Sequence, residues 1–85
     1  MHEIIIKRPY RHFKGRLYYV HDILTHSETG KQYVSYQALY EPYTMYTKPI
    51  ELFAAKVEEG RKDNVTEQTY KFELYNDAGK KKKDF

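Results

Sequence analysis

The sequence predicts a mainly β domain, a small antiparallel barrel or roll of about five strands with one short helical turn. Ten tyrosines and four phenylalanines stand among 85 residues, and aromatic residues favour strands. Several segments alternate between apolar and polar residues with the period of a strand, whereas one short stretch has helical spacing. A chain of this length buries one modest core, which excludes a two-lobed enzyme with a cleft between domains.

The first half of the chain contains three strand candidates. Ile4–Ile6 is a β-branched run that Pro9 ends, which is typical of a short edge strand. Residues 17–25 and 32–40 are longer and rich in strand formers. The polar stretch 26–31 between them contains a glycine, so we expect a hairpin loop there.

The second half predicts two further strands around a helical turn. Residues 43–47 form the fourth strand candidate, and residues 70–74 alternate as a final half-buried strand. Pro49 is suited to the first turn of a helix, which we expect at about residues 49–58 and ended by Gly60. We expect the core to include Val20, Val34, Leu39, Phe53 and Phe72.

Charge divides the chain into a domain and a tail. We expect one domain over residues 1–76 and a flexible lysine-rich tail over residues 77–85, where four lysines follow one another. The net charge is +3, and residues 80–84 account for it. No window approaches 18 apolar residues, which predicts no membrane span. The chain has no cysteine, so it has no disulfide and no thiolate nucleophile, and we expect a cytoplasmic protein.

The segment Lys7–Arg16 carries five positive charges and no negative one. Lysine and arginine contact phosphates, and bases could stack on the interleaved rings of Tyr10 and Phe13. This pattern indicates binding to single-stranded DNA or RNA. The alternative is that both rings belong to the core and the basic residues are merely solvated between them.

Histidines and acids give the weaker hypothesis of an enzyme or metal site. The spacing of His12, His21 and His26 matches no known ligand pattern, so we expect no metal and no cofactor. His26 and Glu28 could act as a general acid–base pair on a hairpin loop. No serine or threonine stands in a pattern typical of a catalytic nucleophile, and so small a domain would exclude water poorly from a reaction. We therefore expect no enzymatic activity.

Tyrosines supply more rings than a small core can bury, among them Tyr18, Tyr36, Tyr43 and Tyr46. Exposed tyrosines are favoured contact residues because they offer a large area at a low entropy cost. Protein or peptide binding is therefore the function that the sequence favours, with nucleic-acid binding as the alternative. The oligomeric state stays open.

Five peptides occur in order at sensible spacing: Tyr10 to Gly15, Tyr19-Val20, His26 to Thr29, Val34 to Tyr40 and Lys48 to Phe53. Together they resemble domain-of-unknown-function family 1653 over about residues 10–53. The resemblance implies an SH3-like β-barrel and a bacterial origin, and it implies no activity. Lys48 stands where arginine is common in that family, and Tyr46 where tryptophan is common.

The resemblance also implies a site, because its motifs include polar residues that a core does not need. These residues form either a binding surface or a buried hydrogen-bonded network. As a surface, they would join the Lys7–Arg16 segment to the loop at 26–30 and to the stretch around Tyr46. The candidate binding residues are Tyr10, His12, Lys14, His26, Glu28, Tyr36, Tyr46 and Lys48.

Overall fold

The computed structural model describes residues 3–76 as one antiparallel sheet with a helical turn. Strands β1 to β5 span Arg8–His12, Leu17–Thr25, Gln32–Ala38, Met45–Pro49 and Phe72–Leu74, and helix α1 spans Ile50–Phe53. The strand order is β4-β3-β2-β1-β5, with every neighbouring pair antiparallel. The predicted mainly β class, with five strands and one short helical turn, is confirmed.

The sheet is strongly curved. Strands β4 and β5 lie at opposite edges, which in a flat sheet would be roughly 19 Å apart over four strand spacings. However, Nζ of Lys48 on β4 lies 5.5 Å from the centre of the Phe72 ring on β5. The ring of Tyr36 on β3 is 5.6 Å from the same ring, centre to centre. A register shift between Val20 and Asp22 marks a bulge in β2, and bulges bend strands.

The concave face of the sheet holds the core, which α1 covers. Phe53 of α1 stacks on Phe72 with 4.1 Å between the ring centres and 11° between the planes. Tyr10 meets Phe53 edge to face at 5.8 Å. The residues of this cluster are Ile4, Tyr10, Val20, Val34, Tyr36, Phe53, Ala54 and Phe72.

The strand at the start of the chain differs from the prediction. The prediction of a strand at Ile4–Ile6 was wrong, since these residues have no regular secondary structure and the first strand begins at Arg8. Ile4 instead packs into the core, and Lys7 adopts a φ of 60°, which no strand contains. The chain therefore turns before β1, which runs through Pro9.

The other strands agree with the sequence to within a few residues. β2 matches the predicted range 17–25, β3 ends two residues earlier than expected at Ala38, and β4 lies two residues later than expected. Leu39 was predicted to be buried but is 44% exposed, because the strand has ended and the chain turns toward β4. The other four predicted core residues are buried.

The helical turn is shorter than predicted. It ends at Phe53 rather than near residue 58, and Gly60 lies well beyond its end. The chain then becomes extended, because Val57 N donates to Thr69 O and Lys71 N donates to Ala55 O. These hydrogen bonds compete with any further turn of helix.

The predicted tail at residues 77–85 lies outside the described residues. Within residues 3–76 the structure contains no helix long and apolar enough to cross a membrane.

Candidate functional site

Four tyrosines meet where β2 begins and β3 ends. Tyr36 on β3 pairs across the sheet with Tyr46 on β4, and Tyr18 on β2 pairs with Ala38. Alternation along each strand directs these side chains to the concave face of the sheet. Tyr40 joins them from the turn that follows β3. We call Tyr18, Tyr36, Tyr40 and Tyr46 the tyrosine face.

The rings of the tyrosine face pack mostly edge to face. Tyr18 meets Tyr36 and Tyr40 at 5.6 Å in each case and Tyr46 at 6.4 Å, between ring centres. Tyr36 and Tyr46 are stacked at 5.5 Å. Tyr36 is 5% exposed and Tyr46 is 42% exposed, so the cluster grades from the core to the surface. The buried ring of Tyr36 thus packs beneath the ring of Tyr46, which solvent reaches.

Two hydroxyl groups of this face are hydrogen-bonded to each other, and two of its phenols, those of Tyr18 and Tyr36, have raised pKa values. The oxygens of Tyr18 and Tyr40 are hydrogen-bonded at 2.6 Å. Burial raises the pKa of Tyr18 well above its ordinary value, and the hydrogen bond to Tyr40 raises it further. Burial is also the main reason why the pKa of Tyr36 is raised, and the neighbouring Tyr46 phenol raises it further. The face therefore offers phenolic O–H groups rather than negative charge.

Two cations flank the tyrosine face, and neither has an acidic partner in the described part of the chain. The guanidinium carbon of Arg16 lies 4.3 Å from the centre of the Tyr40 ring, and Nζ of Lys48 lies over Phe72. None of the ion pairs within residues 3–76 includes Arg16 or Lys48. Burial lowers the pKa of Lys48, and the positive charge of Lys71 lowers it further.

His12 lies beside this site and is neutral. Its ring meets Phe72 edge to face at 4.9 Å, and its Nδ1 accepts a hydrogen bond from the Lys14 amide at 3.1 Å. Burial lowers its pKa to about 4, and the charges of Lys48, Lys14 and Lys71 contribute in that order. Since Nδ1 is an acceptor, the ring proton resides on Nε2.

Of the eight predicted binding residues, the structure brings four together: His12, Tyr36, Tyr46 and Lys48. Tyr10 is 1% exposed and belongs to the core, where its hydroxyl oxygen accepts a hydrogen bond from the Ile5 amide. Lys14 lies in the β1–β2 turn, with its Nζ 3.6 Å from Asp63.

His26 and Glu28 lie in the β2–β3 turn, at the far end of β2 from Tyr18. The length of β2 separates His26 from Tyr18 by roughly 25 Å. His26 Nδ1 accepts hydrogen bonds from the amides of Glu28 at 3.2 Å and Thr29 at 3.3 Å, so the imidazole organises the turn. Both residues are exposed, and they are not part of a buried network.

The histidines also lie apart from one another. His21 hydrogen-bonds to the Gln37 side chain at 2.8 Å, whereas His12 and His26 contact the main chain. Across residues 3–76, no group of three or more His, Asp or Glu side chains is placed to hold a metal ion.

The basic segment is divided between two faces of the sheet. Tyr10 and Phe13, the rings that we expected to stack on bases, are 1% and 3% exposed. Arg11 points away from the core and stacks on Tyr75, with its guanidinium carbon 4.9 Å from the ring centre. The segment is therefore not one continuous basic surface.

The eight candidate binding residues did not include Arg16, Tyr18 or Tyr40, although the predicted surface contained the Lys7–Arg16 segment and Tyr18 was expected to be an exposed ring. The alternation of β2 puts Tyr18 on the same face as Val20, which is a signal that the sequence contains. Tyr40 lies in a turn, where periodicity gives no direction, and Arg16 was read as part of the basic segment. Only the fold joins these residues.

Two shallow depressions lie away from the tyrosine face. One is bordered by Leu24, Tyr33 and Thr47 beside His26. The other is bordered by Arg11, Gln68 and Tyr75, and the Nε of Arg11 is buried there without a hydrogen-bond partner among residues 3–76. Neither depression includes a residue of the tyrosine face.

The fold and the site define a small, mainly β domain with a tyrosine-lined and positively flanked surface. A family described as "Protein of unknown function (DUF1653)" matches residues 8–75. The chain belongs to this family, and the match extends the motif-based resemblance from residues 10–53 to all five strands. A comparison with curated proteins finds no match, and a comparison with solved structures finds none either.

Proposed function

We propose that this domain is an SH3-like roll that binds extended peptides of protein partners across its tyrosine face, without catalysing a reaction. The SH3-like assignment is supported by the curl of the five-stranded sheet and by the helical turn between its last two strands. The bacterial origin and cytoplasmic location expected from the sequence belong to the same proposal.

The observation that carries the proposal is the clustering of four tyrosines into one partly exposed surface. Aromatic-lined grooves are a recurring way to bind extended peptides. Here the rings hold one another in place, so a ligand does not need to order them, and the entropy cost of binding is low. Leu39, Tyr43 and Met45, near the β3–β4 connection, are further exposed apolar side chains, but no contact places them on the tyrosine face.

The proposal is tested by selecting a randomised 12-residue peptide display library on the wild-type protein. We expect enriched sequences, and we expect Tyr46→Ala to weaken their binding by about tenfold or more, as truncation of an interfacial tyrosine does. Tyr19→Ala is the matched control. Tyr19 follows Tyr18 on β2, and successive side chains of a strand point to opposite faces, so Tyr19 faces away from the site.

Two results would refute peptide binding at this face. One is a selection on wild-type protein that enriches nothing above the library background. The other is a set of enriched peptides whose affinity is unchanged by Tyr46→Ala. Circular dichroism should show that both variants keep the fold, since Tyr46 is 42% exposed and its loss leaves the core intact.

Nucleic-acid binding is the second candidate, because Arg16 and Lys48 lie beside rings and form no ion pair with an acid among residues 3–76. It has less support, since Tyr10 and Phe13 are buried and Lys14 is paired. Titration with a labelled 15-nucleotide oligo(dT) at two salt concentrations separates it from peptide binding. A steep loss of affinity with salt indicates phosphate contacts.

A further inference from the structure

The positive charge beside the tyrosine face is not neutralised evenly. Lys14 and Lys71 have acidic partners, with their Nζ atoms 3.6 Å from Asp63 and 3.8 Å from Glu58. Arg16 and Lys48 have none among residues 3–76, and each lies over an aromatic ring. The uncompensated charge of this region is therefore located at the two residues that flank the tyrosines.

Lys48 is half-buried, which makes its lack of a partner costly. An ammonium group that loses part of its hydration without gaining a counter-ion is destabilised. Lys48 follows Tyr46 by two residues on β4, so both side chains lie on the concave face. A carboxylate that reached Tyr46 from solvent would also come within the range of this ammonium group and restore the lost interaction.

The phenols add hydrogen-bond donors to this charge. Tyr18 and Tyr40 share one hydrogen bond between their hydroxyls, which leaves the O–H of one of them to donate elsewhere. Hydrogen bonds from neutral donors and ammonium groups to a carboxylate are stronger than neutral pairs. The tyrosine face thus combines apolar contact area with donors that suit an anion.

We infer that the peptide bound at the tyrosine face presents an acidic side chain, Asp or Glu, to Lys48 and Arg16. This inference rests on the proposed function and adds the chemistry of the ligand. An acidic peptide fits better than a nucleic acid, because Tyr18 makes edge contacts on several sides and Tyr36 is stacked on Tyr46. Free ring faces, which bases need for stacking, are therefore few.

Two degenerate octapeptide libraries test the inference. They are identical except that positions four and five are Glu in one and Gln in the other. We expect the immobilised wild-type protein to retain the Glu library with about tenfold higher affinity, in line with the gain from a charged hydrogen bond. Lys48→Gln should remove this preference, and Lys48→Arg should keep it.

Lys31→Gln is the matched control, because it removes the same charge from the exposed β2–β3 turn, away from the site. Arg16→Gln is a second variant, at an exposed position beside Tyr40, and we expect it to reduce the preference with no effect on folding. If Lys31→Gln lowers the preference as much as Lys48→Gln does, the effect is one of net charge, and the inference is overturned.

The outcomes distinguish the two proposals. Equal retention of both libraries, with loss in Tyr46→Ala, overturns the acidic preference and leaves peptide binding standing. Retention of neither library contradicts peptide binding itself. Tight, salt-sensitive binding of oligo(dT) that is lost in both Arg16→Gln and Lys48→Gln overturns the peptide assignment in favour of nucleic acid.

Discussion

His12 and His26 use the same local device in two different turns. In each, the imidazole Nδ1 accepts a hydrogen bond from the amide two residues later, that of Lys14 in one turn and Glu28 in the other. Histidine therefore does the work that asparagine or aspartate does in an Asx-turn. Backbone geometry therefore gives one reason for their presence in the family motifs.

The pH dependence of stability should report this role at His12. Its pKa is about 4 in the folded protein and about 6.5 in the unfolded chain, so the unfolded state binds the proton more readily between these values. Stability should be fully present above pH 6.5 and should fall as the pH drops toward 4. Because His12 is only half-buried, solvent screening reduces the effect of this pKa difference, and we expect the free energy of unfolding to fall by ~1–2 kcal/mol.

His12→Asn provides the comparison, because the asparagine oxygen can accept the same amide without titrating. Urea unfolding at pH 7 and pH 4.5 should show a smaller difference for the variant than for the wild type. Carboxylates that titrate in this range are present in both proteins, so their contributions to the pH dependence cancel in the comparison. Equal pH dependence of the two proteins would contradict the assignment.

The sequence could indicate which residues are polar members of motifs, but not what they contact. Four of the predicted site residues do gather, because alternation on β3 and β4 directs Tyr36, Tyr46 and Lys48 to one face. His26 and Tyr10 were grouped with them by motif membership alone, which contains no distance information. A nine-residue strand, β2, separates His26 from the tyrosines.

At the scale of elements, the long connection between α1 and β5 is held by side-chain amides. Gln68 Nε2 donates to the carbonyl oxygens of Arg11 on β1 and Tyr70, both at 3.0 Å. Asn64 in turn hydrogen-bonds to the main chain of Gln68 through both of its side-chain atoms. This polar segment is therefore fixed to the sheet despite containing little apolar surface.

Gln68→Ala should destabilise the domain by about 1–2 kcal/mol, since it removes two partly buried hydrogen bonds to the main chain. The midpoint of urea unfolding measures the effect. Gln32→Ala, at an exposed strand position, is the matched control and should change stability by less than about 0.5 kcal/mol. Indistinguishable midpoints for the two variants would mean that the connection is held by other contacts.

Elements were predictable where local pattern and tertiary pairing agree. β2 was predicted correctly because nine residues of strand formers end in a polar turn. The run at Ile4–Ile6 and the extension of α1 were not, since their local patterns are overridden by contacts distant in sequence. Ile4 is drawn into the core, and the chain after Phe53 pairs with residues near position 70.

At the scale of the molecule, the stacked pair Phe53 and Phe72 joins the helical turn to the edge strand. The stability of a domain of this size is of the order of 4–13 kcal/mol. Phe72→Ala should remove ~3–5 kcal/mol of it and leave the protein at the margin of folding, whereas Phe72→Leu should cost only about 1 kcal/mol.

Thermal unfolding followed by circular dichroism measures both variants. Leu52→Ala removes an apolar side chain from the same turn at a position 55% exposed, so its melting temperature should stay within a few degrees of the wild type. A Phe72→Ala protein that melts like the Leu52→Ala protein would show that the aromatic stack contributes little to the fold.

The pairing of β1 with β5 also has a consequence for how the domain can be built into larger chains. Tyr75 N donates to Pro9 O at 2.9 Å, so the start of β1 and the end of β5 lie side by side, one strand spacing apart. Domains with adjacent ends can be inserted into a surface loop of a host protein without stretching it. A junction at the start of β1 and the end of β5 would therefore leave the tyrosine face unaltered, because that face is formed by β2, β3, β4 and the turn after β3.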